Sequence, residues 1–355
     1  MDAKNKEENG LGQVIGGGLK GFKELWRSNP LFSTGIALLV MIIVQTLALS
    51  TNTSFDSFGQ WFQNWLQNWV SLLRGNAGIG IIALGMTFVI ISGGIDLSVG
   101  SVYVTVGAFI MVLLNTGAGG WLSSIGLGGA PAILIALIAA LALGAILGES
   151  NGLLISYGRM PPFIATLGSM QILRSVTQYF MKTQKTELPE AYKAIARLDI
   201  GGQQLMPIIY WAVLAAIMYV ISRKTTFGRY VFAIGSNERT TKLSGVNVRA
   251  VKRRVYGLTG VLVAIAAIIQ TSRIGSMDYA SAGSGFEMDA IASVIVGGTS
   301  MSGGRGSIIG TVFGTLIVAV MNNLLNLIGV DPYLSAAFKG AIIIGAVLLQ
   351  RKERA

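Results

Sequence analysis

The chain has 355 residues, with 27 Lys or Arg against 16 Asp or Glu, 47 Gly, no Cys and no His. Only 12% of residues are charged, where a soluble chain has roughly 25%, and the apolar share with Gly counted is about 62%, against about 45–50%. The surplus must face lipid. The two empty columns exclude disulfides, thiolate metal sites, zinc-protease motifs and a Ser-His-Asp triad, which disfavours a membrane enzyme.

Met1–Asn29 is polar and mixed in charge, without the pattern of a cleaved signal, so the first apolar run is expected to stay as an anchor. Gly16-x-Gly18-x-x-Gly21 spells a dinucleotide fingerprint, but it follows no strand and opens no βαβ unit. Ten apolar runs approach the ~20 residues that cross ~30 Å of hydrocarbon. They are Leu31–Leu49, Ala77–Ser92, Leu97–Asn115, Ala130–Leu147, Pro162–Phe180, Met206–Ile221, Val255–Thr271, Asp289–Ser302, Ser307–Leu327 and Pro332–Gln350. The fifth, which carries Arg174, and the eighth, which breaks into glycines, are the weakest.

Between the first two runs, Phe55–Leu73 has helical spacing, with Trp61, Trp65 and Trp69 on an apolar face. Asp56, Gln60, Gln63, Asn64, Gln67 and Asn68 form its other face. It reads as an external amphipathic helix over 54–74, either lying in the headgroup layer or docking an external partner. With both termini inside, nineteen basic residues fall in cytoplasmic segments and six outside, the bias expected of a membrane protein. The predicted fold is therefore all-α, a polytopic membrane protein of about ten helices, N-in and C-in. One transmembrane domain spans 31–350, flanked by a cytoplasmic segment 1–30 and a tail 351–355. The net charge of +11 thus reports topology, and no nucleic acid is implied. The loops are too short to hold an ATPase, and no phosphate loop occurs.

Two glycine-rich stretches, Ile91–Ser101 and Ile295–Gly304, share the spelling Ile-x-Gly-Gly-x-x-x-Ser-x-Gly. They read either as tight turns between helices or as helix breaks beside a solute path. The candidates for path or gate are Gly93, Gly94, Asp96, Ser98, Gly297, Gly298 and Ser302. Asp96 equally suits the N-cap of the third run. Gly144 with Gly148, and Gly306 with Gly310 and Gly314, have the spacing of close helix packing. Few ionisable groups lie at membrane depth, namely Arg174, Lys339 and Asp289, which argues against a proton relay. Asn322, Asn323, Asn326 and Ser335 suit either a neutral polyhydroxy solute, with Asn322 and Asn323 as path candidates, or interhelical hydrogen bonds.

The loop 223–254 carries nine basic residues and one acid, Glu238. Asn237 is a good N-cap with Glu238 in the first turn, Lys242 suits the last turn, and Gly245 suits the stop. One helix of about two turns is predicted between them, with Asn247 capping the next. Held between long helices, it would form a stiff docking peg.

The stretches Gly85–Ser101, Pro162–Met170, Phe232–Asn237, Ser244–Val248, Phe286–Gly304 and Gly329–Tyr333, in this order, resemble the permease subunits of bacterial ABC importers for simple sugars, the ribose/galactose/xylose branch. The Trp-rich insert and long amino terminus depart from that pattern. The resemblance implies the larger-type importer architecture in the cytoplasmic (inner) membrane. It also implies a second permease subunit, identical or related, a cytoplasmic ABC ATPase, and an extracytoplasmic sugar-binding protein. No cofactor would be bound by this chain, since ATP-Mg would sit on the ATPase subunits, and no catalytic residue is implied. By position, Gly235, Asn237, Glu238, Lys242, Leu243, Ser244 and Gly245 would be the coupling element that enters the ATPase. A permease for a nucleoside, a branched-chain amino acid or a signalling furanose is the nearest alternative, followed by a secondary transporter or channel.

Overall fold

In lipid every backbone group must be satisfied internally, so long apolar runs of this kind become helices. The computed structural model describes residues 30–52, 57–117, 120–182 and 186–331, with the helical positions 334, 337, 338, 340, 341 and 344. Ser335, Lys339, the tail 351–355, the segment before Pro30 and the rest of the tenth run lie outside the described residues.

The described helices are α1 (Pro30–Asn52), α2 (Phe58–Ile91), α3 (Val99–Leu114), α4 (Trp121–Ser124), α5 (Gly129–Ser156), α6 (Pro162–Met181) and α7 (Glu190–Arg197). They continue with α8 (Met206–Lys224), α9 (Thr226–Ser236), α10 (Glu238–Leu243), α11 (Val248–Ile274), α12 (Phe286–Val296) and α13 (Ile308–Leu327). Among the described residues, α1, α2, α5, α8, α11 and α13 are long and apolar enough to cross a membrane, and α3 is a shorter apolar helix.

The core is built on α2 and α11. About three quarters of each apolar window is buried, 72% and 78%, against 11% in α1 and 22% in α5. α11 packs against α5, α2 and α3, and α13 packs against α12, α1 and α2. The peripheral helices leave Leu39, Ile43 and Leu47 of α1, and Leu134, Ile138 and Ile146 of α5, exposed. Patches of this kind are a liability in water and the natural surface in lipid. The molecule is an all-α, multi-pass membrane protein.

The α5–α11 contact shows how small residues bring two helices together. A Cβ on Gly148 would overlap the Tyr256 carbonyl, and one on Gly144 would overlap the Gly260 carbonyl. The predicted pair Gly144 and Gly148 therefore does pack closely, and its partner is Gly260. Of the predicted triplet, Gly310 and Gly314 lie against the backbone of Gly297 and Ser293 on the neighbouring α12. Gly306 precedes α13 and meets Ile91 and Thr299 instead.

Several predicted boundaries are corrected. The Trp-rich segment is not a separate external helix, since α2 runs unbroken from Phe58 to Ile91, 34 residues. Its Trp face is satisfied by α1 rather than by headgroups. Trp61 Nε1 donates to Ser50 Oγ (2.9 Å) and Trp65 Nε1 to Thr46 Oγ1 (3.1 Å). The polar face has a helical partner too, because Asn68 Oδ1 accepts from Gln45 Nε2 (2.8 Å) and Asn323 Nδ2 (3.0 Å). α5 continues to Ser156 and α11 begins at Val248. Hydropathy stops at the first charge, but helical hydrogen bonding does not.

The eighth predicted span is not a span. α12 has 11 residues, about 16 Å, half the hydrocarbon thickness. Before it, 275–285 folds back into the helix assembly. Arg197 on α7 bonds the carbonyls of Arg273 and Ile274 at the end of α11 (2.8 and 2.9 Å). Met277 lies against Gly107 at the middle of α3, and Gly283 lies against Gly100 in its first turn. The Tyr103 and Phe286 rings then meet at 4.9 Å. Irregular backbone at this depth is tolerated only against protein or a wet cavity. Arg174 supplies part of that protein, with Nη1 donating to Ala282 O (2.6 Å).

Candidate functional site: a capped peg on a glycine junction

The basic segment is more ordered than a single short helix. α9 precedes the predicted one and is capped by Thr225, whose hydroxyl accepts from Gly228 N (3.1 Å). Val231 and Ile234 are buried beneath it, and Phe227 stacks on Phe88 of α2 at 6.1 Å. Phe227, Val231 and Ile234 stand at helical spacing, the signal that the charge of the loop obscured. α10 forms where predicted. Asn237 Oδ1 accepts from Thr240 N (3.0 Å), and Gly245 is left-handed at φ 82°. Asn247 Oδ1 in turn accepts from Ala250 N (3.1 Å) and caps α11. Glu238 pairs with Lys252 at 2.6 Å and clips α10 to α11. Thr241 is buried within the turn, while Arg239, Lys242 and Ser244 are exposed. Leu243 stands out at 81% exposure, an apolar tip on a rigid stem. Beside it an open cleft of about 780 Å³ is lined by Arg159, Lys242, Arg249, Lys252 and Glu238, among others.

Both predicted glycine stretches end helices rather than interrupt them. At the end of α2, Gly93 N donates to Ile90 O (3.0 Å) and Gly94 N to Val89 O (2.9 Å). At the end of α12, Gly298 N donates to Ile295 O (2.9 Å) and Thr299 N to Val294 O (3.1 Å). These are two Schellman caps, each with a left-handed glycine, Gly93 at φ 82° and Gly298 at φ 85°. The structural match pairs Gly93 with Gly298, one residue off the sequence match, which pairs Gly93 with Gly297. The shared spelling thus marks two similar caps, not a repeat in register.

The tertiary structure then joins these turns to the peg. Gly304 N donates to Ile91 O (2.9 Å). Gly235, at the end of α9, lies so close to both that a Cβ there would overlap the Ile91 carbonyl and the Gly304 amide. Ser236 packs on Gly304. Three backbones from 91–94, 235–236 and 303–304 therefore meet at one point. Ser302 is exposed beside this point.

The other path candidates fall elsewhere. Asp96 is not the N-cap of α3. Its Oδ1 accepts from Ser98 N (2.9 Å) and Ser98 Oγ (2.6 Å), so it serves the N-cap residue, two positions on, and not the free amides of the first turn. Ser98 Oγ accepts from Asn151 Nδ2 (2.8 Å), and Asn151 Oδ1 accepts from Ser169 Oγ. Asp96, Ser98 and Asn151 are buried, so this chain ties α3, α5 and α6 together. Asn151 was not among the sequence candidates, because a single polar residue near a helix end carries no local signal. Asn151→Ala removes two of these bonds and is expected to cost about 1–3 kcal/mol, read as a lowered thermal midpoint in detergent. A variant as stable as the parent would show that the network carries no load. Asn323 donates to Asn68 across a helix contact, while Asn322 is half-buried beside it, its Oδ1 buried without a hydrogen-bond partner among the described residues.

Residues 68–347 match the family model described as the branched-chain amino acid transport system permease component. The chain belongs to this family of transport permeases. The ribose import permease of Escherichia coli K12 is 38% identical over 325 residues, covering 90% of this chain and 93% of the relative. The ribose import permease of Bacillus subtilis is 42% identical over 289 residues, 81% of this chain and 85% of the relative. The galactose/methyl galactoside import permease of E. coli K12 is 37% identical over 276 residues, 76% and 82% of the two chains. No solved structure matches the permease.

Proposed function

We propose that this permease forms the translocation pathway of an ATP-driven importer for a simple sugar, ribose or a galactose-like monosaccharide. The observation that carries this reading is the capped peg, α9–α10, seated by its backbone on the turn that ends α2 and on Gly303 and Gly304 of the segment between α12 and α13. Such a peg moves as a lever and cannot flex independently of α2 and that segment. The relatives favour a sugar over a branched-chain amino acid, since those covering most of the chain carry the names of ribose and galactose importers.

In this reading two permease subunits form the membrane core, with the basic end cytoplasmic and both termini inside. Leu243, with Lys242 and Ser244 around it, enters a cleft on a separate ABC ATPase that binds ATP-Mg. This chain does no chemistry itself. Closure of the ATPase pair draws the pegs together, and the Gly235 junction passes the movement to the end of α2 and to the segment between α12 and α13. An extracytoplasmic binding protein delivers the sugar, and hydrolysis resets the path.

The test is Asn237→Ala combined with Gly245→Pro, in the assembled importer. Loss of the cap costs about 1 kcal/mol, and proline cannot take the positive φ of Gly245. ATPase association and sugar uptake are both expected to fail while the permease still reaches the membrane. Unaltered uptake would remove α10 as the coupling element. Transport of a labelled pentose or hexose without any ATPase, driven by an ion gradient, would favour a secondary carrier.

A further inference from the structure

α6 is the helix whose chemistry fits its position least. Its 20 residues make it about 30 Å long, the full hydrocarbon thickness. Yet it is absent from the helices apolar enough to cross. Gly168, Gln171 and Ser175 are exposed, and Gln178 is half-buried. At ~100° per residue these four fall within about 80° of the helix circumference. The adjoining strip holds Ile172, Val176 and Phe180, exposed at 65%, 46% and 67%. From Gly168 onward one side of α6 therefore divides into a polar strip and an apolar strip, while in the first turn the exposed Ile164 lies on the line of the polar strip. Gln171 stands at the midpoint of the helix, where a primary amide cannot be left against acyl chains without a large penalty.

The polar strip borders the irregular segment that enters the molecule ahead of α12. Arg174 donates to Ala282 O (2.6 Å) and Gln178 Nε2 to Ala280 O (3.2 Å). Ser281 and Ser284 of that segment are exposed beside it. Glu287, on the first turn of α12, lies within electrostatic reach of Arg174, so the charges here offset one another. What remains open is made of amide and hydroxyl groups together with the exposed carboxylate of Asp278, which accepts from Ser281 Oγ.

We propose that the polar strip of α6, centred on Gln171 and Ser175, is the solute-reading wall of the pathway, facing water across from residues 281–284. Its ligand class is an uncharged polyhydroxylated molecule, bound by hydrogen bonds to amide and hydroxyl. This rests on the import reading above and specifies its site. The strip Ile172, Val176 and Phe180 faces lipid or a second subunit.

The chain lacks cysteine, so single cysteines can be read without background. In vesicles holding the assembled importer, Gln171→Cys and Ser175→Cys are expected to react with a charged, membrane-impermeant thiosulfonate at least about tenfold faster than Ile172→Cys, Val176→Cys and Phe180→Cys, because the reactive thiolate forms only in water. The opposite order, or equal rates with and without ATP, would overturn the wall assignment. Gln171→Leu is expected to lower ribose or galactose uptake about fivefold or more with unchanged ATPase association, the loss of one or more net hydrogen bonds, while Gln171→Asn retains most of it. Wild-type uptake by the leucine variant would also overturn it. If the parent importer took up no sugar yet the labelling order held, the sugar reading would fail and the water-lined wall would stand. If it imported sugar and the labelling order inverted, only the wall would fail.

Discussion

Gly235→Ala is expected to abolish uptake and to lower the thermal midpoint of the purified permease by several degrees. The added methyl would overlap the Ile91 carbonyl oxygen and the Gly304 amide. Both are main-chain atoms, so no side chain can rotate away. They are also bonded to each other, Gly304 N to Ile91 O at 2.9 Å, and the wedge must open that bond. Overpacking of this kind costs about 1–3 kcal/mol, and the buried bond adds to it. The functional loss follows from position, because the displaced segment is the seat of the peg. Gly202→Ala, outside the peg, is the matched control. It carries a positive φ of 82° but has open space around its Cβ site, so it pays only the left-handed penalty, roughly 1–2 kcal/mol. If the two variants behaved alike in uptake and melting, the junction would have no mechanical role.

The larger structural effect is expected from Gly260→Val, at the centre of the α5–α11 contact. A Cβ at 260 would overlap the Gly144 carbonyl and approach Gly148 Cα to 3.0 Å. Valine adds two further methyl groups on a stiff branched side chain. The helices must separate along the contact that holds the most buried helix of the core to its lipid-facing neighbour. A loss of about 3 kcal/mol or more is expected, the upper end of overpacking plus lost dispersion along the seam. The readout is the amount of folded permease recovered from the membrane and its thermal midpoint. Gly75→Ala provides the contrast. Gly75 is helical in α2 and has nothing within 4 Å of its Cβ site, so the variant gains up to about 1 kcal/mol of helix propensity. A Gly260→Val protein as abundant and stable as Gly75→Ala would refute close packing as the function of that glycine.

These glycines show how far the sequence could be read. Gly144 and Gly148 announce a close contact by their spacing on one helix. Gly260 is isolated on another, and Gly235 sits in a charged loop, so neither carries a sign of what it touches. The caps at Asn237, Gly245 and Asn247 were legible because each closes a hydrogen bond within about four residues. Gly93 and Gly298 were legible as turn residues, but their register was not, since the spelling aligns Gly93 with Gly297. Asp96 was chosen correctly as a residue bonded to backbone, but it serves the amide of Ser98 and not the first turn of α3. The Trp face of 58–73 looked like a headgroup face because nothing local says that Ser50 and Thr46 stand ready to accept from its indoles. α6 and α12 were read as weak spans because one carries Arg174 and the other breaks into glycines, yet only the fold shows that Arg174 reaches the segment that precedes α12.

The sequence by itself determined the solvent and the local joints. Too few charges for water oblige the chain into lipid, lipid obliges the backbone into helices, and residues a turn apart decide where each helix starts and stops. The tertiary structure decided which backbones meet. Contacts between residues 144 and 260, 91 and 304, or 174 and 282 depend on the shapes of whole helix faces. A glycine lets a neighbour approach but does not name it. The peg on its glycine junction, the half-length α12 and the polar strip of α6 therefore arise from packing over long separations.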